Sequence, residues 1–386
     1  TQARFDEVRA PWRTATWLAG PVVAGPVEGR APTDVVNPAR PGDVVGRVTD
    51  ATEGDIETAL SAAAIWDVPG IERARVLNRA AELYEENAGA FFALAAREAG
   101  KTPLDAVGEL REAVDFLRYY ASEAPALSGA PLGTVACISP WIFPLAIFTG
   151  QIAGALSAGC AVIAKPAEQT PLIARLAVGC LRDAGVPPRA LQFLPGDGAT
   201  VGRALTSDPR VAGVAFTGST ETARLIQRNM ADHLAPGAPL VAETGGLNAM
   251  IVDSTALLEQ AVRDVVASAF QSAGQRCSAL RCLYVQEDIA PAFRKMLFGA
   301  MDALRLGDPW KIATDIGPLI DSEAHEGIAD YLKGKTVLKQ TGAPDQGWFL
   351  PPTVVEVAGI GDVEREVFGP VLHLATFKAE ALERVI

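Results

Sequence analysis

Histidine is scarce in this chain. Only His233, His325 and His373 occur in 386 residues, and none sits at metal-ligand spacing from the cysteine singled out below. Neither a zinc site nor a papain-like cysteine–histidine pair gains support, and no metal is expected. Basic residues are outnumbered, with 34 Lys and Arg against 46 Asp and Glu for a net charge of −12. No basic stripe is available to neutralise phosphates, so a nucleic-acid partner is excluded. Five cysteines, at 137, 160, 180, 277 and 282, are odd in number and lack repeated spacing. They do not describe a disulfide framework and fit a reducing cytoplasm. The N-terminal residues carry no charged-then-apolar signal pattern.

Charge itself is missing from Ala124 to Ala164, a length that invites a membrane span. Pro125, Pro131, Pro140 and Pro144, with glycines at 129, 133, 150, 154 and 159, interrupt it repeatedly. A strand, a loop and a helix buried inside an α/β protein explain the run better. With 49% hydrophobic and 21% charged residues, a large core is feasible, and the length suggests two domains.

Apolar residues at helical spacing mark Asp55–Ala64, Glu72–Glu98 and Asp105–Ser122, where Ala, Glu, Leu and Arg dominate. Short strands are expected around Trp17–Val23 and Thr33–Val48. Further on, apolar or β-branched runs at Thr134–Ile138, Ala161–Ala164, Leu191–Leu194 and Val211–Phe216 alternate with helices beginning near Pro144, Pro171, Ala199 and Ser219. That alternation implies βαβ units and a mainly parallel sheet. Thr170 is placed to cap the helix that Pro171 opens. A second α/β portion begins at about Pro239, with an apparent buried strand at Pro239–Ala242, so the domains are expected at 1–238 and 239–386.

Gly274-Gln275-Arg276-Cys277-Ser278 has the features of a nucleophile loop. Gly274 permits close backbone approach and Arg276 puts positive charge beside the thiol. A small cysteine between Ala273 and Ala279 also reads as core. Glu243, 34 residues earlier, ends a strand before two glycines. It reads equally as a site carboxylate or as a hydrogen-bond acceptor for its own loop. Gly196–Gly202 misses the G-x-G-x-x-G pattern by one position, and Gly100-Lys101-Thr102 lacks the first glycine of a phosphate loop because Ala95 stands there. The first is a strand-to-helix turn; the second motif is discarded.

Six segments then occur in one order: Ile138-Ser139-Pro140-Trp141, Lys165-Pro166-Ala167-Glu168, Phe216-Thr217-Gly218-Ser219, Glu243-Thr244-Gly245-Gly246, Gly274-Gln275-Arg276-Cys277 and Glu366-Val367-Phe368-Gly369-Pro370. In this the chain resembles the aldehyde dehydrogenases. Phe143–Leu172, Val211–Arg228 and Leu240–Arg281 are most similar to the glutamate-γ-semialdehyde (pyrroline-5-carboxylate) dehydrogenase module of bacterial bifunctional proline-utilisation proteins. The resemblance implies an α/β fold with a Rossmann-type NAD-binding domain, preceded by a helical segment, and a second α/β catalytic domain. Cys277 would attack the aldehyde and Glu243 would activate water against the resulting thioester. Lys165 and Glu168 would hold the adenine ribose, where a carboxylate disfavours a 2′-phosphate and selects NAD over NADP. Ser219 at a helix start suits the pyrophosphate. Glu366 would hold the nicotinamide ribose and Phe368 would pack near the nicotinamide, with Ile138, Ser139, Trp141, Gly198, Gly218 and Gly245 completing the cofactor set. Ser278 is a candidate substrate contact.

Two departures from the family pattern stand out. The family reads Trp-Asn-Phe-Pro where this chain has Trp141-Ile142-Phe143-Pro144. Ile142 removes the side-chain donor to the oxyanion, a loss of about 10²–10³ in turnover, and leaves the Cys277 backbone amide. The chain also ends soon after Pro370, so the catalytic domain is expected to be truncated at its C-terminus. The resemblance implies an aldehyde substrate, a proline dehydrogenase as fused domain or partner, and a homo-oligomer in the full-length protein. An active enzyme, a non-catalytic or impaired module of the same fold, and an aldehyde dehydrogenase of other specificity remain the readings to separate.

Overall fold

The computed structural model describes residues 2–386. The chain forms two compact units. The first takes in residues up to Asn37, Gly42–Ala99 and Ala106–Thr244; the second takes Pro38–Pro41, Gly100–Asp105 and Gly245–Ile386.

The first unit opens with helix α1 (Gln2–Arg9) and a three-stranded sheet of β1 (Trp17–Ala19), β2 (Thr33–Asn37) and β3 (Arg40–Val48), in the order β1-β3-β2. Helices α2 (Glu53–Ala62), α3 (Gly70–Glu86), α4 (Ala88–Arg97) and α5 (Pro103–Glu123) follow. The start of α2 is specified locally. Thr52 accepts the Asp55 amide through its hydroxyl, and the Asp55 carboxylate accepts the Thr52 amide at 2.8 Å, a reciprocal cap.

The principal sheet contains β4 (Thr134–Ile138), β5 (Ala161–Lys165), β6 (Leu191–Phe193), β7 (Val211–Thr217) and β8 (Leu240–Glu243), in the order β6-β5-β4-β7-β8. All four pairings are parallel. Between the strands run α6 (Ala146–Ser157), α7 (Pro171–Ala184), α8 (Arg203–Ser207) and α9 (Thr220–His233). Alternate strand residues enter different cores: Val135, Cys137, Val162 and Ala164 on one face, Ala136, Ile138 and Ile163 on the other. Burial on both faces explains why these strands read as continuous apolar runs. The uncharged 124–164 run resolves into β4, a loop, α6 and β5. No helix among the described residues is long and apolar enough to cross a membrane.

Two sequence expectations need correction. The strand after Pro239 is not buried. β8 is the edge of the sheet, its ladder with β7 runs from Leu240 to Glu243, and Val241, Ala242 and Glu243 are exposed. β8 lies in the first compact unit, which includes residues to Thr244. Thr170 precedes α7 but makes no side-chain cap. Glu98, buried, takes that role from a distance, accepting the Leu172 and Ile173 amides at 2.7 and 2.9 Å. Glu109 does the same for α6, accepting the Leu145 and Ala146 amides at 3.3 and 2.9 Å. A carboxyl group brings two acceptor oxygens to a helix N-terminus, whereas a threonine hydroxyl brings one.

In the second unit β9 (Asn248–Val252), β10 (Leu280–Gln286), β11 (Val337–Gln340), β12 (Thr353–Glu356) and β13 (Val371–Phe377) form a sheet ordered β11-β12-β13-β10-β9. Only the β11–β12 pairing is antiparallel. Helices α10 (Leu258–Phe270), α11 (Ala290–Asp302) and α12 (Ser322–Leu332) accompany it. His373 in β13 is fully buried; its Nδ1 lies 2.8 Å from the Arg281 carbonyl and its Nε2 2.8 Å from the Tyr331 hydroxyl. A carbonyl only accepts, so Nδ1 carries the proton and Nε2 accepts from Tyr331.

Two predictions follow from these buried groups. Glu98→Ala leaves two helix amides without their acceptor and should cost about 1–3 kcal/mol for each; urea denaturation reads the loss, and an unchanged midpoint would refute the capping role. Burial holds the His373 pKa below its ordinary 6.5, so the unfolded chain binds this proton first. The neutral imidazole's contribution is intact above pH 6.5 and is lost as the pH falls through the lower folded value. Glu98, pushed by burial up to about 8 against the pull of its two amides, acts with the opposite sign in an overlapping window. The difference in urea stability between the parent and His373→Gln therefore isolates the histidine, and it should shrink on acidification below pH 6.5.

Candidate functional site

In the principal sheet of the first unit the chain starts in the middle at β4, steps outward to β5 and β6, then returns to the other side of β4 for β7. Crossovers leave in opposite directions from β4 and β7, and such a reversal opens a crevice at the strands' carboxyl ends. The sequence-chosen residues Ile138, Ser139, Lys165, Glu168, Gly198, Gly218, Ser219 and Glu243 all lie at or just past those ends. The strand ends are tied to each other. Ser139 donates its amide to the Lys165 carbonyl at 3.1 Å, and Gly218 donates its amide to the Glu243 carbonyl at 3.1 Å.

Lys165 is buried, with Nζ donating to the Pro166 carbonyl at 3.1 Å and standing 4.0 Å from Glu168 Oε1. Burial lowers its pKa, opposed by Glu168, Asp197 and Asp50. The exposed Glu168 accepts the Gly198 amide at 2.8 Å. Gly198 opens a π-helical turn to Gly202, the strand-to-helix turn read from the sequence. At the start of α9, Ser219 accepts the Thr222 amide at 3.1 Å. Of the three long helices that follow β4, β5 and β7, α6 and α7 begin on buried glutamates, whereas α9 begins on its own exposed serine. Trp141 is half-buried, and Ile142 is buried at 5% exposure.

The second unit places its candidates at the opposite ends of strands. Gly245 lies just before β9, Cys277 and Ser278 just before β10, and Glu366 and Phe368 just before β13. These three strands are adjacent and parallel, so their amino ends gather the residues. Of the five cysteines, all described, Cys277 alone is exposed. Ser278 is exposed beside it.

The loop leading to Cys277 is unusual in its backbone. Ser272 and Ala273 have φ of 57° and 54°, and Gly274 has φ of 66°. Three successive left-handed residues are costly for side chains with a Cβ, and buried polar contacts hold them. Lys101 Nζ donates to Ser272 Oγ at 2.8 Å. Gln275 donates to the Ser272 and Pro318 carbonyls, both at 3.2 Å, and accepts the Ile320 amide at 2.9 Å. Asn248 Nδ2 donates to the carbonyls of Cys277 and Ala279 at 2.7 and 2.9 Å. Arg276 turns to Gln271, donating at 3.1 Å. The fully buried guanidinium in this region belongs to Arg281, which donates to the Arg276 carbonyl at 3.0 Å. Beyond it, Glu366 accepts the Gly246 amide at 3.2 Å. A Cβ on Gly245 would overlap that carboxylate.

Sequence reasoning missed Arg281, Asn248, Gln275 and Lys101. A lysine in Gly100-Lys101-Thr102 suggested only a phosphate loop, and no local pattern links it to a serine 171 positions away.

Residues 27–385 match the model of the aldehyde dehydrogenase family. The chain belongs to that family. It is 51% identical over 394 residues to bifunctional protein PutA of Klebsiella aerogenes, covering 96% of this chain and 30% of that protein. A 1-pyrroline-5-carboxylate dehydrogenase of Anoxybacillus flavithermus is 35% identical, over 89% of this chain and 73% of its own length. Among solved structures, Thermus 1-pyrroline-5-carboxylate dehydrogenase with bound NAD matches at a TM-score of 0.91 and 32% identity, covering 99% of this chain and 81% of that one. The chain spans about a third or less of the length of the PutA proteins it matches. The aldehyde dehydrogenase fold expected from the motifs is therefore present, with a Rossmann-like unit and a second α/β unit.

Gly274→Ala tests the strained turn. Its φ is left-handed and an added Cβ would strike the Gly369 carbonyl. The conformational cost alone should exceed about 1 kcal/mol, read by urea denaturation; an equally stable alanine variant would show that the turn relaxes freely.

Proposed function

We propose that this chain carries out NAD-dependent oxidation of L-glutamate γ-semialdehyde, formed from pyrroline-5-carboxylate, to L-glutamate. The observation that carries the reading is Cys277, the exposed cysteine on a constrained loop where the strands bearing Gly245 and Glu366 also begin. The names of the relatives, 1-pyrroline-5-carboxylate dehydrogenase and bifunctional PutA, support the substrate class.

The residues present fit NAD. Glu168 offers an exposed carboxylate suited to ribose hydroxyls and hostile to a 2′-phosphate. The α9 N-terminus, not filled by a buried glutamate, suits a pyrophosphate. Ile138, Ser139, Trp141, Lys165, Gly198 and Gly218 would complete that part, with Gly245, Glu366 and Phe368 on the nicotinamide side.

Cys277, as thiolate, attacks the aldehyde carbon and forms the S–C bond; the carbonyl oxygen takes up a proton to give a thiohemiacetal. NAD⁺, when bound, would supply the acceptor for the hydride, and with loss of the hydroxyl proton to water a thioester remains. Glu243 takes a proton from water, whose oxygen attacks the thioester carbon. The S–C bond breaks, L-glutamate leaves and Cys277 is restored. Ser278 contacts the substrate. Ile142 donates nothing to the oxyanion. Proline oxidation by a fused domain or partner supplies the substrate, a role in keeping with the word bifunctional in the relatives' name and their greater length. A reducing cytoplasm keeps Cys277 a thiol, and the whole protein is a homo-oligomer.

Ile142 also motivates a second reading, an impaired module that binds cofactor without turnover. NADH formation from pyrroline-5-carboxylate separates the two. The parent should show turnover, Cys277→Ala none, and Ile142→Asn a gain approaching about 10²–10³-fold. Saturable NAD⁺ binding with no NADH from either the parent or the Asn variant would favour the impaired module. Equal rates with simple aliphatic aldehydes would overturn the substrate.

A further inference from the structure

Arg281 contributes a charge that nothing in the reaction above uses. Its side chain is completely buried. A guanidinium is expensive to bury and persists only where several acceptors meet it. Here they come from two loops. Nη2 donates to the carbonyl of Arg276, the residue before Cys277, at 3.0 Å, and Nη1 donates to the Gly369 carbonyl at 3.3 Å. Nη2 also stands 3.5 Å from Glu366 Oε1, and the guanidinium carbon lies 5.0 Å from the Phe368 ring centroid.

A plain core arginine would be saturated by these contacts, but this one is not. Arg281 Nε and Glu366 Oε1 are both buried without a hydrogen-bond partner. The ion pair is close enough to attract and too long to be a hydrogen bond. Glu366 therefore keeps acceptor capacity for a ligand hydroxyl, while Nη2 is shared between that carboxylate and the carbonyl leading into Cys277. If Glu366 turns its charge toward a hydroxyl, Nη2 falls more fully to Arg276.

We propose that Arg281 is a positioning residue that couples ligand engagement at Glu366 to the conformation of the Cys277 loop. This rests on the reading that Glu366 holds a hydroxyl of NAD. The planar fork of arginine is needed, because a lysine ammonium is a single point that would not span two carbonyls and a carboxylate.

The test follows Cys277 alkylation by iodoacetamide in the full chain, with the modified peptide identified by mass spectrometry, with and without saturating NAD⁺. In the parent, NAD⁺ should change the alkylation rate constant about five-fold or more, the lower end of ordinary coupling between sites. Arg281→Met and Arg281→Lys should still bind NAD⁺ in equilibrium dialysis yet lose that change. A purely structural arginine would alter the rate equally with and without NAD⁺. A variant that binds NAD⁺ and retains the parent's response overturns the proposal, as does a parent that binds NAD⁺ with no response. Absence of saturable NAD⁺ binding in the parent would instead overturn the cofactor reading, and this inference with it. Should both variants fail to fold, hydrogen exchange in the parent decides: NAD⁺ should shift protection in peptides spanning 274–281 and 366–370 together. A change confined to 366–370 refutes the coupling.

Discussion

Parallel pairing is the constraint from which the placement of chemistry in this chain follows. A parallel strand cannot turn back on its neighbour, so each must be followed by a crossover, and every crossover returns the chain to the same end of the sheet. In the first unit this puts the segments after β4, β5, β6, β7 and β8 along one edge, which is why residues from 138 to 243 in sequence lie together. In the second unit β9, β10 and β13 begin side by side, so segments 245–246, 274–278 and 366–369 converge although more than a hundred residues separate the first from the last. The six motifs recognisable in the sequence are the loops that parallel sheets bring to their ends.

Parallel topology brings loops near each other but does not hold a side chain in place. For Cys277 that is done by buried polar contacts against an unfavourable backbone. Ser272 and Ala273 adopt left-handed conformations that ordinary residues avoid, and Lys101, Gln275, Asn248 and Arg281 each satisfy an oxygen of the same loop. With several carbonyls fixed from different directions, the turn has little room to relax, and the thiol is presented while Ser272–Gln275 stay buried. The strain is local; the contacts that oppose it come from far along the chain.

That difference decides what was legible in the sequence. Strands β4, β5 and β7 show as apolar runs because both their faces are buried, and Pro171 marks the start of α7 because proline fits a first helical position. Thr170 looked sufficient as the cap of that helix, and the hydroxyl rule is sound for an isolated helix. Here Glu98, more than seventy residues upstream, reaches two amides of that helix with two oxygens, where the hydroxyl has one. β8 looked buried because its composition is apolar, yet an edge strand has one neighbour and its exposure is set by sheet order, which no window of residues encodes. Arg276 drew notice by adjacency to Cys277, whereas Arg281, four positions beyond the thiol, is the guanidinium that meets the loop's carbonyl. Motifs report what is near in sequence, and long-range acceptors report nothing until the chain is folded.

Two glutamates show how satisfaction separates support from readiness. Glu98 engages one amide with each carboxylate oxygen. Moving it away would leave two helix amides without their acceptor, so it serves best by staying still. Glu366 is held differently: one oxygen accepts an amide at 3.2 Å, and the other, buried, has an arginine nitrogen at 3.5 Å but no hydrogen bond. Burial raises its pKa while Arg281 opposes the rise, so the charged form is only partly stabilised by its surroundings. An acceptor in that condition gains from an incoming donor what Glu98 already has. The same residue type in one fold thus serves as a fixed cap where its bonds are complete and as a receptive group where they are not.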